Sequence, residues 1–212
     1  GPGVFVQEVE KRRSHIGAEA LADILYTSGT TGRSKGVEIT FGMYASAFRY
    51  NQPYLQLSDS DLILDFLPLS HIFERAWAYL ALSCGATLSL NRQPSEVAQA
   101  MREVRPTAIC AVPRFWEKIY ANILHSAARR GARAQALLRM ALHEGHRYHI
   151  DHVGRGQRPS MVLTARFKML DHWVLSPIRK AIGLDRCRLF PVAGAALSPA
   201  VERFIHSCGI RM

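Results

Sequence analysis

Tyr26-Thr27-Ser28-Gly29-Thr30-Thr31-Gly32-Arg33-Ser34-Lys35-Gly36 lies between two apolar stretches, Leu21-Ala22-Asp23-Ile24-Leu25-Tyr26 and Val37-Glu38-Ile39-Thr40. Both stretches read as strands, so the run between them reads as the tip of a strand–loop–strand hairpin. Its glycines let backbone N–H groups approach a ligand closely and adopt positive φ. The hydroxyls of Ser28, Thr30 and Thr31 can donate to phosphate oxygens, and Lys35 adds a mobile point charge. The composition suits a loop that holds a polyphosphate; the competing reading is a Gly/Thr/Ser-rich surface turn without a ligand.

The commonest phosphate loop is excluded by spacing. A Walker loop needs Gly-x-x-x-x-Gly-Lys-Ser/Thr between a strand and a helix. Counting from Gly29, the sixth residue is Ser34, and Lys35 is followed by Gly36.

Outward from the hairpin, strand and helix signals alternate. Phe41 to about Leu55 reads as a helix ending near Pro53, and Ser58-Asp59-Ser60-Asp61 as a turn. Leu62–Phe66 reads as a strand, and Ser70 as the cap of a helix from His71 to Ser83 ended by Gly85. Ala86–Leu90 reads as a strand. Pro94 opens a helix to about Arg105, and Thr107–Val112 is an apolar strand closed by Pro113. This alternation predicts a doubly wound α/β sheet with flanking helices. From Arg114 to about Ile182 the pattern is helical, cut by Gly131, Gly154-Arg155-Gly156 and Pro159 into three helices. Arg188–Val192 returns to strand, and Ser198-Pro199 opens a last helix that Gly209 ends.

Bulk properties narrow the class. With 212 residues, 48% of them hydrophobic, the chain can build one domain with a real core. Cys84, Cys110, Cys187 and Cys208 form no C-x-x-C pair and have apolar neighbours, which predicts buried thiols in a reducing compartment rather than a metal site. No charged-then-apolar leader opens the chain, and the longest apolar stretch, Trp77–Leu90, is interrupted by Ser83, Gly85 and Thr87. A cytoplasmic protein is expected, with association at a membrane surface as the variant. The net charge of +10, much of its excess between Arg129 and Arg188, calls for an anionic partner: a nucleotide, an anionic membrane surface or nucleic acid. Gly1-Pro2 is expected to be vector-derived, and residues 1–22 to be a leader or linker.

Two further segments stand out. Phe66-Leu67-Pro68-Leu69-Ser70-His71-Ile72-Phe73-Glu74-Arg75 presents an imidazole after a Pro-closed strand, at the carboxyl edge of a sheet where open α/β folds bind ligands. On residues alone His71 is more often structural. In Val192-Ala193-Gly194-Ala195-Ala196-Leu197-Ser198-Pro199, small residues after a strand let a flat group approach the backbone or let strand and helix pack closely.

The Tyr26–Gly36 run resembles the phosphate-binding signature of the adenylate-forming (AMP-binding) superfamily, which includes acyl-CoA synthetases, firefly luciferase and peptide-synthetase adenylation domains. That signature is Tyr/Phe-Thr-Ser-Gly-Thr-Thr-Gly, a variable residue, Pro, then Lys-Gly; Ser34 stands in the Pro position. Leu67–Arg75 resembles the superfamily's second signature in its long-chain fatty acid form. Arg105-Pro106-Thr107, Val112-Pro113-Arg114 and Glu117-Lys118-Ile119-Tyr120 resemble the same branch, as does the helical insert at about 114–182. The family has Gly-Gly-Ala-Pro-Leu-Ser where this chain has Ala193, Gly194, Ala195 and Ala196.

The resemblance implies an α/β fold, with 23–212 a partial AMP-binding domain and an internal fragment of the acyl-CoA synthetase-like large domain. It implies that Thr27, Ser28, Gly29, Thr30, Thr31, Gly32, Lys35 and Gly36 bind ATP phosphates, and that Gly194 and Ala195 flank the adenine. His71 would sit beside the substrate carboxylate, with His71 and Lys35 the catalytic candidates, residues after Val112 supporting the acyl pocket, and Glu74 with Arg75 a structural pair. The implied activity is that of a long-chain fatty acid–CoA ligase using ATP, Mg²⁺ and coenzyme A, with the Mg²⁺ ligand expected beyond Met212. The fragment alone is expected not to turn over. The alternatives are a fatty acyl-AMP ligase serving a carrier protein, and a basic membrane-surface binding module; no nucleic acid is expected, because no interleaved basic-aromatic platform is evident.

Overall fold

The computed structural model describes residues 2–27 and 33–210. The chain divides into two compact units, residues 1–57 with 68–76, and residues 58–67 with 77–212.

The first unit opens with helix α1 (Pro2–Ser14) and then forms the expected hairpin. Strands β1 (Leu21–Thr27) and β2 (Lys35–Thr40) pair antiparallel, with Leu25 opposite Val37, Tyr26 opposite Gly36 and Thr27 opposite Lys35. Leu25 and Ile39 turn inward onto Tyr44, with Phe48 and Ala76 packed beside them. Tyr44 and Phe48 lie on helix α2 (Phe41–Leu55), which starts where β2 stops because Thr40 caps it, its hydroxyl accepting from the Met43 N–H at 3.3 Å. The helix runs past Pro53, where an end was expected, and closes at Gln56, whose φ of 49° is left-handed. Helix α3 (Ile72–Ser83) begins one residue later than predicted, after a turn in which the His71 N–H donates to the Pro68 carbonyl at 2.9 Å.

In the second unit β3 (Leu62–Asp65) and β4 (Thr87–Leu90) pair parallel, Leu62 opposite Thr87 through Asp65 opposite Leu90. A single bridge joins Ile63 to Ala108, and two more join Ala108 to Leu189 and Ala111 to Val192, all parallel. The order is therefore β4, β3, the 107–111 segment and the 188–192 segment, a parallel layer in α/β style. The last two were expected as full strands. They are pinned at separate points instead, and Pro191 explains it. The Ile109 N–H reaches the Leu189 carbonyl (3.1 Å) and the Ala111 N–H reaches the Pro191 carbonyl (3.0 Å). The intervening bond of a regular parallel ladder needs an N–H at position 191, which proline lacks.

Helices cover this layer: a 3₁₀ turn (Pro94–Glu96) leading into α4 (Val97–Val104), then α5 (Pro113–Arg129). The 114–182 region forms three rods. The first is α5. The second is α6 (Ala132–His146), continued by a π-helical turn over Arg147–His152. The third is α7 (Met161–Leu170), a π-helical turn over Asp171–Leu175, and α8 (Ser176–Ala181). The breaks fall where glycine was read as a breaker: Gly131 has φ 93° and Gly156 φ 70°. Helix α9 (Pro199–Ser207) is capped by Ser198 and followed by Gly209 at φ 75°. One core joins these parts, centred on Trp116, Phe190, Ile109, Leu175 and Ile205. Trp116 meets Phe190 edge-on with ring centroids 5.1 Å apart.

All four cysteines are free. Cys110 and Cys208 are buried as expected, and burial pushes the Cys208 thiol up to about 12; Cys84 and Cys187 are half-buried. Among the described residues no helix is long and apolar enough to cross a membrane.

Candidate functional site

The hairpin strands pair up to the ends of the Ser/Thr/Gly run. Thr27 and Lys35 are its last described pair, and the Thr27 hydroxyl leans across to the Lys35 carbonyl at 3.5 Å. Both side chains are exposed, as is Gly36. Gly36 has a packing reason of its own: a Cβ there would come within 3.0 Å of Ile24 Cγ2. Ser28, Gly29, Thr30, Thr31 and Gly32 lie outside the described residues.

His71 belongs to the same unit, exposed at the entry to α3. Its position is set through Arg75, one turn further along. Arg75 Nε donates to the Leu69 carbonyl at 2.8 Å, which fastens the turn that carries His71. The same guanidinium donates through Nη1 to Asp23 Oδ1 at 2.5 Å, and Asp23 Oδ2 accepts the Tyr44 hydroxyl at 2.7 Å. Arg75 and Asp23 are mostly shielded, their side chains 24% and 13% exposed, so this charge-assisted link is stiffer than a surface pair. One carboxylate of β1 thus anchors the His71 turn and α2 to the hairpin that bears Lys35. The expectation that Arg75 pairs with Glu74 is corrected here: the carboxylate set against Arg75 is Asp23, and Glu74 is fully buried. Adjacent residues on a helix point about 100° apart, so a neighbour is a poor partner; a residue 52 positions away in sequence was not readable from spacing.

In the second unit the carboxyl ends of the parallel segments carry the other candidates. Gly194 and Ala195 follow the Val192 bridge directly and are exposed. Gly194 has φ 94°, a conformation that side-chain-bearing residues rarely adopt, and the nearest atom to a Cβ there would be Val112 Cγ1 at 3.9 Å. The bend therefore needs glycine for its backbone conformation, while a Cβ there would meet Val112 only at ordinary van der Waals distance. Phe115 packs against Phe66 with the rings tilted by 42° and centroids 5.0 Å apart, tying the start of α5 to the end of β3.

The amino ends of the same segments are locked by a network that the sequence did not disclose. Asp61, 3% exposed, accepts from Thr107 Oγ1 (2.7 Å), Arg188 Nη2 (2.5 Å) and the Ser58 N–H (2.9 Å). Burial alone would raise its carboxyl, but the bonds from Arg188, Thr107 and Ser58 outweigh that and hold it below the usual range. Beside it Arg105 and Asp185 form a two-pronged pair that lowers the Asp185 carboxyl, chiefly through the Arg105 bond. The Arg105-Pro106-Thr107 motif is thus scaffold: its arginine and threonine tie neighbouring segments together. Among the described residues, no three or more His, Cys, Asp or Glu side chains gather as a metal site.

Comparison with known proteins places this arrangement. The family profile described as "AMP-binding enzyme" matches residues 4–212. A long-chain acyl-CoA synthetase 7, peroxisomal, of Arabidopsis thaliana is 30% identical over 193 residues, 90% of this chain and 26% of its own length. A putative fatty-acid–CoA ligase, fadD11, of Mycobacterium tuberculosis is 33% identical over 184 residues, 85% of this chain and 32% of its own. The chain therefore spans about a quarter to a third of these relatives. Among solved structures, the adenylation domain of a carboxylate reductase from Mycobacterium chelonae superposes with a TM-score of 0.56 at 21% identity, over 90% of this chain and 25% of that one, a likeness of fold.

Proposed function

The chain belongs to the AMP-binding enzyme family, and from that premise we propose that the whole protein activates a long-chain fatty acid, first to acyl-AMP and then to acyl-CoA. The observation that carries this reading is the β1–β2 hairpin: its paired ends hold Thr27 and Lys35, which flank the Ser/Thr/Gly run in sequence, face to face, in the unit whose Asp23–Arg75 pair also anchors the His71 turn. The likeness to long-chain ligases supports the choice of acid.

In the first step a carboxylate oxygen attacks the α-phosphorus of ATP, a P–O bond forms, and the bond to the bridging oxygen breaks to release pyrophosphate. Charge builds on that leaving group. Lys35, the Thr27 hydroxyl and the N–H groups of the tip are suited to take it up. The part proposed for His71 is to hold the carboxylate in line for attack, from a turn that Arg75 keeps still. Gly194 and Ala195 are proposed to offer the adenine a bare backbone edge. In the second step the sulfur of coenzyme A attacks the acyl carbonyl, the C–S bond forms, AMP departs, and the thiol proton is lost to solvent or base. The positive excess suits these polyanionic substrates and contact with an anionic membrane surface.

The test is ATP–pyrophosphate exchange by the full-length protein. Exchange dependent on palmitate, followed by palmitoyl-CoA formation when coenzyme A is added, is the expected result. Exchange without transfer to coenzyme A would favour an acyl-AMP ligase serving a carrier protein, and no exchange above background would remove the proposal.

A further inference from the structure

The three helical rods of the second unit line an open groove of about 500 Å³, within the range of small-molecule sites and made by none of the hairpin residues, His71 or Gly194. Its floor is apolar, made by Ile123, Leu138, Val174 and Ile178, the first two buried. One wall is polar. Asn122, Ser126 and Arg130 line it at four-residue spacing, one stripe of the first rod. The Arg130 side chain is exposed and makes no ion pair among the described residues. At the rim stand Leu137 and Trp173, the latter 75% exposed.

Trp173 is there because of Pro177. Proline has no N–H to give to the carbonyl four residues back, which is that of Trp173, and its ring crowds that carbonyl. The third rod answers by widening into the π turn over Asp171–Leu175, closed by the Ser176 N–H on the Asp171 carbonyl. Turns of this kind re-aim side chains and recur at functional sites. Here Trp173 and Val174, both in the turn, reach the groove.

We propose that this groove binds one molecule of an alkyl-chain anion, its chain on the Ile123–Leu138–Ile178 floor and its headgroup on Arg130 with Asn122 and Ser126. The occupant follows from the lining. An apolar trough rejects polar solutes, and a free guanidinium in its polar wall selects a carboxylate, sulfonate or phosphate headgroup that it can grip with paired N–H bonds. Trp173 covers the exposed side of the chain with a large rigid face. The site shares no residue with Thr27, Lys35, His71, Gly194 or Ala195, and the proposal does not depend on their roles.

The test uses the full-length protein and decyl sulfonate, which carries the headgroup charge but no carboxylate to be adenylylated. Titration calorimetry is expected to show saturable one-to-one binding. Arg130→Glu is expected to weaken it at least about tenfold, the loss of one charge-assisted contact. Ala134→Trp, which fills the trough, is expected to abolish it, while both variants keep palmitate-independent folding by circular dichroism and retain their pyrophosphate exchange. Should Ala134→Trp fail to fold, Arg130→Glu and Trp173→Ala carry the test together. Undiminished binding in the variants, equal binding of the neutral decanol, binding only to lipid vesicles, or joint loss of binding and exchange, which would put the probe in the acyl pocket, would each overturn the proposal.

Discussion

Lys35 and Asp61 are both charged residues at strand ends, yet the structure sets them in opposite surroundings. Lys35 is exposed at the hairpin tip, so Lys35→Ala is expected to leave stability within about 0.5 kcal/mol. If it neutralises the leaving pyrophosphate, pyrophosphate exchange falls about 10²-fold or more; exchange at the parent level in a folded variant would release Lys35 from the role. Asp61 is buried and binds three segments. Its carboxyl is held below the unfolded value, so its contribution to stability is complete above pH about 4 and is lost as pH falls through the folded value. Asp61→Asn is expected to cost about 1–3 kcal/mol at neutral pH. It should also flatten the acid limb of a urea-unfolding series recorded from pH 6 downward; an unchanged acid limb would show that other carboxylates govern it. The role proposed for Lys35 could be read in sequence because the glycine- and hydroxyl-rich run that suggests it is local. That of Asp61 could not, since its partners Thr107 and Arg188 lie 46 and 127 residues away.

Elements were legible where the signal is local and failed where it is shared. Alternation and the glycine-rich tip gave the hairpin, and Gly131 and Gly156 gave the breaks between the rods, because each residue settles its own backbone. The segments 107–111 and 188–192 were legible as apolar runs. Their irregular pairing was not, because it depends on which proline faces which carbonyl. The π turns were equally hidden: Pro177 was visible, but not that the rod would widen rather than break. Another element-level property comes from Gly145 on α6. A Cβ there would lie 2.1 Å from the Ser207 carbonyl oxygen of α9, so the glycine permits these two helices to touch by their backbones. Gly145→Ala therefore forces them apart. Although alanine is the better helix former, the variant is expected to be about 1–3 kcal/mol less stable in urea unfolding. A neutral or stabilising result would mean that α6 and α9 slide apart freely.

At the scale of the molecule, the second unit's layer is stitched together late in the chain. The 188–192 segment, which leads to the Gly194 bend, must find 107–111 after the three intervening rods have been threaded. Contacts within and between those rods close short loops, whereas the Ile109–Leu189 and Ala111–Pro191 bonds close a long one and form more slowly. On refolding, amide protons inside α5 and α6 should thus become protected in pulse-labelled hydrogen exchange before those of Ile109 and Ala111. Simultaneous protection would show that the layer and the rods condense as one. The missing amide of Pro191 has a kinetic meaning as well: with one rung absent, the last segment docks through separate hydrogen bonds, and a chain leaving the ribosome must make each of them without the cooperativity of a continuous ladder.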